Sequence, residues 1–152
     1  MASSTRRFDH TGLQILDEDD CLRLLSSVPL GRVVLTRGGL PVVHLVNFAV
    51  DNRSVFFATA DGDKLRAAER GDVVAFEVDD VDIERHLGWT VTATGSLSVV
   101  DPEEMARGHN PPVRPWAPNR DANVIRLAIE VLEGRRLVAW GERPHPEADD
   151  AD

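Results

Sequence analysis

Runs of apolar residues separated by short polar turns dominate the first half of the chain. Three such runs, each followed by turn-forming residues, cover positions 31–37, 42–50 and 54–60. The first ends at Gly38-Gly39, a dipeptide typical of a β-hairpin turn, and the second ends at Asp51-Asn52. The pattern therefore predicts three consecutive antiparallel strands.

Strand-like patterns return in the second half, and they predict four more strands. Gly95 inside the longest of them predicts a bulge or a bend, and Gly134 predicts a turn between the last two. The first-half runs Val33-Val34-Leu35 and Val42-Val43 are continuously apolar, which indicates strands covered on both faces. A barrel, or a sheet whose outer face meets a partner subunit, satisfies that requirement. The four predicted strands are 72–80, 88–100, 123–130 and 135–140.

Short helical segments lie between these strands, and each begins with a residue that can cap a helix. Asp17 precedes an apolar face that ends before Pro29, and Asp101 is followed by proline at the first helical position. Asp63 is the expected N-cap of a helix over 64–70, which Gly71 terminates. The chain is therefore predicted to be mainly β with small helices.

Composition limits the classes of partner. The chain has 152 residues, so one domain over 13–140 is expected, with a flexible segment at 1–12 and a disordered acidic tail at 141–152. A net charge of −9 argues against nucleic acid as a partner. The single cysteine fits a reducing compartment, and no apolar run reaches membrane-spanning length. We expect a cytoplasmic protein without a membrane partner.

The sequence carries no motif of a side-chain catalyst. It has no nucleophile elbow, Walker loop or zinc signature, its histidines are scattered, and the acidic residues near Asp80 lack the spacing of a metal loop, so no metal site is expected. One feature suggests a ligand, because Lys64 follows a glycine-containing loop at a helix start. A cation and free N–H groups together favour an anion there. Chemistry would then come from a bound cofactor.

Four segments taken in order carry a resemblance to a known family. They are GRVVLTRGGLPVVHLVNF (31–48), SVFFATADGDKLRAAERGDVVAFEVDDVD (54–82), GWTVTATGSL (88–97) and RPWAP (114–118). Their order and spacing resemble the pyridoxamine 5′-phosphate oxidase-like proteins, in particular the small actinobacterial-type members. The resemblance covers about residues 13–140. It implies an antiparallel split β-barrel of six to seven strands that binds FMN.

The same resemblance implies a homodimer with two flavin sites at the subunit interface. The strand from Val42 to Asn47 would lie along the flavin ring, Thr59 would help to hold the ribityl-phosphate arm, and Lys64 would bind the phosphate. Trp89 and the loop from Arg114 to Trp116 would approach the same pocket, either within one chain or from the partner chain. The implied cofactor-binding residues are Val43, His44, Leu45, Asn47, Thr59, Lys64, Trp89, Arg114 and Trp116. Strand spacing alone favours an ordinary structural role for both His44 and Asn47, a strand histidine and a hydrogen-bonded residue near the turn.

Two departures from the family pattern bear on activity. The phosphate-binding arginine of the authentic oxidases is absent at the start of the strand matching Val42. Their arginine-containing substrate motif is not visible either, since residues 140–146 are WGERPHP. Oxidation of pyridoxamine phosphate itself is therefore not expected. The resemblance implies an FMN-dependent oxidoreductase that passes hydride from a nicotinamide donor to a small electron-poor substrate. The alternatives are a reductase that uses the deazaflavin coenzyme F-420, and a non-enzymatic carrier or sensor that binds flavin or haem.

Overall fold

The computed structural model describes residues 5–60, 62–108, 113, 116 and 123–143. Nine strands and three helices make up most of this part of the chain. The strands are β1 (Arg7–Phe8), β2 (Gln14–Ile15), β3 (Leu30–Arg37), β4 (Leu40–Asn47), β5 (Ala49–Asp51), β6 (Ser54–Thr59), β7 (Val73–Asp82), β8 (Leu87–Val99) and β9 (Asn123–Leu137). The helices are α1 (Glu18–Leu25), α2 (Asp63–Arg70) and α3 (Pro102–Ala106), and a short 3-10 helix covers Trp140–Glu142.

All strand pairs are antiparallel, and they form one curved sheet in the order β1-β2-β9-β8-β7-β3-β4. Strand β6 pairs with the first half of β9, and β5 pairs with β6. Strands β4 and β6 come into contact, but no ladder joins them in the described ranges. The barrel is therefore open along the β4–β6 seam. The predicted mainly-β fold, an antiparallel split β-barrel, is confirmed.

The core lies inside this barrel and is closed by helices. Alternate residues of β3, β7 and β8 face inward, where Phe76 lies edge-on to Phe48 with ring centroids 4.8 Å apart. Helix α2 presents Ala67 and Ala68 to the barrel, and small side chains let its backbone approach β8. The largest fully buried side chains are Phe57, Phe76, Leu25, Leu97, Ile125 and Leu127.

The helix boundaries follow the predicted caps in two cases and differ in the third. The carboxylate of Asp17 accepts a hydrogen bond from the Asp20 N–H, and Asp101 caps α3 in the same way. The prediction that Asp63 caps α2 is wrong, because Gly62 occupies the cap position and Asp63 is the first helical residue. The Asp63 carboxylate instead binds arginines, one of which comes from β3.

Two predicted strand divisions are also wrong. The run 42–50 is broken at Phe48, whose N–H donates to the Pro29 carbonyl, so that β5 leaves the ladder of β3 and pairs with β6. The two strands expected on either side of Gly134 are one continuous strand, β9. Gly134 allows the Cys21 side chain to pack directly against the β9 backbone, since a Cβ placed there would lie 2.6 Å from the Cys21 Sγ.

The predicted bulge is present, because the β8–β9 register shifts between Thr94 and Gly95. A Cβ on Gly95 would lie 1.8 Å from the Ala128 carbonyl oxygen, so only glycine fits at this crossing. Residues 7 and 8, which the sequence assigned to a flexible segment, form β1 and pair with β2. No helix in the described part of the chain is long and apolar enough to cross a membrane.

Candidate functional site

Two residues far apart in sequence meet beside the open seam of the barrel. His44 points inward from β4, and Lys64 lies in the first turn of α2, which directly follows β6. The Lys64 Nζ lies 3.2 Å from the His44 Nδ1, within hydrogen-bond distance. Lys64 is also the only lysine among the chain's 17 Lys and Arg residues. The contact therefore places the one lysine ammonium group of the chain at the end of the seam.

The lysine fixes the protonation pattern of the histidine. An ammonium group can only donate, so Nδ1 accepts the hydrogen bond and the ring proton of neutral His44 resides on Nε2. Nε2 is buried and has no hydrogen-bond partner among the described residues; its nearest carboxylate oxygen, the Asp63 Oδ2, is 4.0 Å away. The ring thus holds a buried, unsatisfied donor that faces the ionised Asp63 carboxylate rather than open solvent.

Asp63 connects this pair to two arginines. Its Oδ2 accepts from the Arg37 Nη1 at 2.8 Å, and its Oδ1 accepts from the Arg66 Nη2 at 3.1 Å. Those hydrogen bonds, the Arg66 bond first, lower the pKa of the Asp63 carboxyl. Asp63 is therefore ionised, and its charge is already shared by Arg37 and Arg66. Lys64, in contrast, contacts a neutral ring and no carboxylate in the described ranges.

Burial lowers the pKa of Lys64, and the nearby Asp63 charge opposes that effect. A half-buried cation without a contacting counter-ion has lost part of its hydration, so a bound anion would restore favourable interactions. The first-turn N–H groups of α2 add to this, because they lack partners within the helix and Gly62 supplies no side-chain cap. The arrangement suits a phosphate or carboxylate group.

The protonation of His44 provides a testable consequence. Burial first, and the Lys64 charge second, lower the pKa of His44 below its ordinary value of 6.5. Because the folded-state pKa is the lower one, the contribution of His44 to stability is present above pH 6.5 and is lost as the pH falls through the folded-state value. We expect the Lys64→Met variant to raise the His44 pKa, measured by NMR titration of the ring nitrogens. An unchanged pKa would show that Lys64 does not act on His44.

The backbone of β4 is available on one edge. β4 is the last strand of the sheet path, so its outer N–H and C=O groups from Leu40 to Val46 have no strand partner in the described part of the protein. An unpaired strand edge can hydrogen-bond a ligand that carries alternating donors and acceptors. This edge faces the seam at which Lys64 and His44 meet.

The outward face of β4 is apolar and unusually exposed. Val43 is 60% exposed and Leu45 is 63% exposed, although both lie in the middle of a strand. Asn47 follows on the same face, where its side-chain Oδ1 accepts a hydrogen bond of 3.2 Å from the Trp116 N–H. The Trp116 side chain is 66% exposed. Four predicted site residues thus lie together on one side of β4.

Thr59 occupies the end of β6, four residues before the α2 helix begins at Asp63. Among the described residues, Thr59 is polar and yet buried. Its Oγ1 donates a hydrogen bond to the Ala60 carbonyl at 3.2 Å. The hydroxyl therefore lies where β6 leads into the loop that precedes Lys64. That position suits a contact with a phosphate arm bound at the start of α2.

Comparison with known proteins identifies the family. A family model described as pyridoxamine 5′-phosphate oxidase matches residues 17–136. The chain belongs to the pyridoxamine 5′-phosphate oxidase-like family. An uncharacterised protein of Mycobacterium tuberculosis is 39% identical over 135 residues, which cover 85% of this chain and 88% of that protein.

Two solved structures of family members are similar along nearly their whole length. An FAD-binding protein from Mycobacterium smegmatis is 33% identical with a TM-score of 0.64, covering 81% of this chain and 96% of that chain. A Corynebacterium glutamicum protein, provisionally assigned as a pyridoxamine 5′-phosphate oxidase, is 31% identical with a TM-score of 0.71. It covers 83% of this chain and 98% of its own. The split barrel is therefore shared with both proteins.

Trp89 lies away from the other candidate residues within the single chain. Along the sheet, His44 pairs with Val33, Val33 with Phe76 and Phe76 with Ala93, so three strand spacings, roughly 14 Å, separate His44 from β8. Trp89 lies a further four residues, roughly 13 Å, along β8. Trp89 instead lines a cavity of about 450 Å³ with Leu87, Leu137 and Arg136. One subunit alone does not bring Trp89 to Lys64. Arg114 lies outside the described residues.

Arg37 and Asp63 belong to the site, although sequence reasoning did not assign them to it. Arg37 ends β3 immediately before the hairpin turn, and the fold places it against the start of α2. Nothing local to Arg37 indicates this contact, since its partner is 26 residues away. Asp63 adjoins Lys64 in the sequence, and that position could have indicated a role in the site. The capping rule instead assigned its carboxylate to the N-terminus of α2.

Proposed function

We propose that this family member is a flavin-dependent oxidoreductase whose cofactor phosphate is held by Lys64 and the first turn of α2. The observation that carries the proposal is the partly buried Lys64 ammonium, which contacts neutral His44 rather than a carboxylate. The uncapped α2 N-terminus supports it, because its first-turn N–H groups can donate to a phosphate oxygen.

Among flavins, FMN is the smallest that carries a phosphate for the Lys64 site. Its phosphate fits the Lys64 end of the site, and the polar edge of its ring suits the unpaired edge of β4. The exposed Val43 and Leu45 side chains supply apolar surface that can exclude water from the ring. A bound flavin accepts a hydride from one molecule and passes it to another. The protein's part is to bind, orient and desolvate, so no side-chain acid or base is required.

Family membership supports the same proposal. The Mycobacterium smegmatis relative is an FAD-binding protein with the same fold, and the identity of 33% extends over most of both chains. We propose a nicotinamide nucleotide as the hydride donor and a small, flat, electron-poor molecule as the acceptor. Both would stack on the open side of the flavin ring, next to the β4 strand.

Anaerobic reduction tests this function. The protein is loaded with FMN and mixed with NADH or NADPH, while the flavin absorption band is followed. We expect bleaching that is faster than with free FMN, and recovery of the band when a quinone or a nitroaromatic compound is added. A flavin that binds but is reduced no faster than free FMN would favour a non-enzymatic carrier or sensor. Repeating the assay with the deazaflavin coenzyme would identify a reductase of that class.

We also propose that the functional unit is a homodimer. Val43, Leu45 and Trp116 form an exposed apolar strip on β4 and beside it. A second copy covering this strip would remove it from water and would complete the flavin pocket, with Trp89 of the partner subunit contributing to the same site. Apolar surface is buried at about 25 cal/mol per Å², so covering the strip would favour association.

Substitution of Leu45 tests the dimer. Leu45→Asp places a charge in the centre of the apolar strip, so we expect the mass in solution, measured by light scattering, to fall from dimer to monomer. Flavin affinity should fall with it. Leu45→Ile keeps the apolar character and should remain a dimer. A wild-type protein that is already monomeric at micromolar concentration would refute the proposal.

A further inference from the structure

The apolar strip on β4 continues across the outer face of the sheet. On β7, the residues that alternate with the core positions point away from the barrel interior, and two of them, Val73 and Val81, are 64% and 57% exposed. The strand register extends this surface from β4 to β9 in a row without charged residues. The row is Val43, Val34, Ala75, Thr94 and Val131. A second copy that covered the β4 strip would therefore meet a wide apolar face.

A charged cluster lies in the next row of the same face. The Arg32 Nη1 donates to the Glu77 Oε2 and to the Asp79 Oδ2, each at 3.0 Å. The Thr90 hydroxyl donates to the other Glu77 oxygen, Oε1, also at 3.0 Å. Two carboxylates thus share one guanidinium nitrogen, so the cluster has one excess negative charge when both are ionised. Leu45 of the apolar strip is the cross-strand neighbour of Arg32, which places the cluster beside the proposed dimer contact.

The other groups that face the cluster do not neutralise it. In the strand register, Thr92 and Glu133 follow Glu77 across β8 and β9, and Glu133 adds a further carboxylate. Arg135 occupies the corresponding β9 position beyond Asp79 and Thr90, but its Nε donates to the Asp9 carboxylate. The excess charge of the cluster therefore stays unbalanced by the described residues of this face.

Glu77 is the member of the cluster that takes up a proton most readily. Burial first, and its hydrogen bond with Asp79 second, raise the pKa of Glu77 above the ordinary value of 4.5, while the hydrogen bonds from Thr90 and Arg32 oppose the shift. A subunit that covered the cluster would remove more water from it. Since lost hydration disfavours the charged form of a carboxyl group, the Glu77 pKa would be higher in the dimer than in the monomer.

We propose that Glu77 makes homodimer formation depend on pH, with a second copy binding the outer sheet face more tightly when Glu77 is protonated. The inference rests on the homodimer of the proposed function. Protonation removes the excess charge and lets the Glu77 carboxyl donate to Asp79. The dimer then binds more protons than two separate chains, so association strengthens as the pH falls. A two-fold interface contains two such clusters, so the dimer dissociation constant can change by up to about 100-fold per pH unit.

Sedimentation of dilution series between about pH 7.5 and pH 5.5 measures the dimer dissociation constant. For the wild type, we expect it to fall at least about tenfold over this range. Glu77→Gln keeps the size and hydrogen-bonding capacity of the side chain but removes the titrating charge. It should dimerise more tightly than the wild type at about pH 7.5 and change by less than about twofold on acidification.

The matched control is Glu103→Gln, which removes the same charge from a side chain of α3 that is 84% exposed. It should follow the wild type at each pH, and thermal unfolding establishes that both variants are folded. Strengthening at low pH that is lost only in Glu77→Gln supports the inference.

The contrary results separate this inference from the proposed function. A wild-type dissociation constant that is the same at each pH, or a pH dependence that survives in Glu77→Gln, would overturn the inference and leave the dimer in place. Weaker association of Glu77→Gln at about pH 7.5 would overturn it too, because ionised Glu77 would then stabilise the interface. A chain that stays monomeric throughout would overturn the inference and the homodimer together, while flavin binding is tested independently.

Discussion

Replacing Lys64 with alanine is expected to weaken FMN binding about 10- to 100-fold, because the change removes the cation that we assign to the phosphate. Hydrogen bonds to charged groups contribute about 1.5–3 kcal/mol, and each 1.4 kcal/mol is a factor of ten. Lys64 is half buried beside His44, so solvent screens its charge less than that of a surface lysine. Equilibrium titration followed by flavin fluorescence measures the change.

Riboflavin and two further variants test whether the loss of affinity arises from the phosphate. Riboflavin lacks the phosphate, so its affinity should be nearly the same in wild type and in Lys64→Ala. Lys64→Arg keeps the charge and should recover part of the FMN affinity, while Arg85→Ala removes an exposed cation of the β7–β8 turn and should change nothing. Equal losses for FMN and riboflavin would show that Lys64 supports the pocket without binding phosphate.

Replacing Phe76 with alanine is expected to cause the largest loss of stability, about 3–5 kcal/mol. The Phe76 ring is fully buried between the sheet and the edge of Phe48, and it fills the space that the missing side chain of Gly31 leaves open. Truncation would leave a cavity that the β3–β7 pairing prevents from collapsing. The free energy of unfolding of a domain is typically about 5–15 kcal/mol, so Phe76→Ala would remove a large fraction of it.

Urea unfolding measures this loss, and Val73→Ala is its control. Val73 belongs to the same strand, but its side chain is exposed, so its truncation should change the free energy of unfolding by less than about 0.5 kcal/mol. A loss below about 1 kcal/mol for Phe76→Ala would mean that the barrel repacks around the cavity. The core described for this end of the barrel would then be wrong.

Local signals in the sequence predicted the parts of the fold that local geometry determines. The Gly38-Gly39 turn, the Asp17 cap and the bulge at Gly95 depend on a few neighbouring residues or on the absence of a side chain, and the structure confirms all three. Gly134 was misassigned because its function is tertiary. It makes room for Cys21 and Leu16, which reach it from α1 and from the segment before α1.

The candidate site was predictable as a set of residues but not as an arrangement. Lys64 and the β4 residues could be named from the resemblance, whereas the contact between Lys64 and His44 joins elements 20 residues apart. The hydrogen bond from Arg37 to Asp63 forms because α2 packs against the end of β3. The spacing of residues along the sequence does not predict that packing. The contact therefore became visible only in the structure.

Equilibrium titration of ligand-free wild-type protein with FMN and with riboflavin tests the central claim most directly. The account predicts saturable binding of one FMN per chain, at least about tenfold tighter than riboflavin, because the phosphate adds charge-assisted hydrogen bonds at Lys64 and at the first turn of α2. Failure to bind FMN, or equal affinity for FMN and riboflavin, would contradict the assignment of this site to a flavin phosphate.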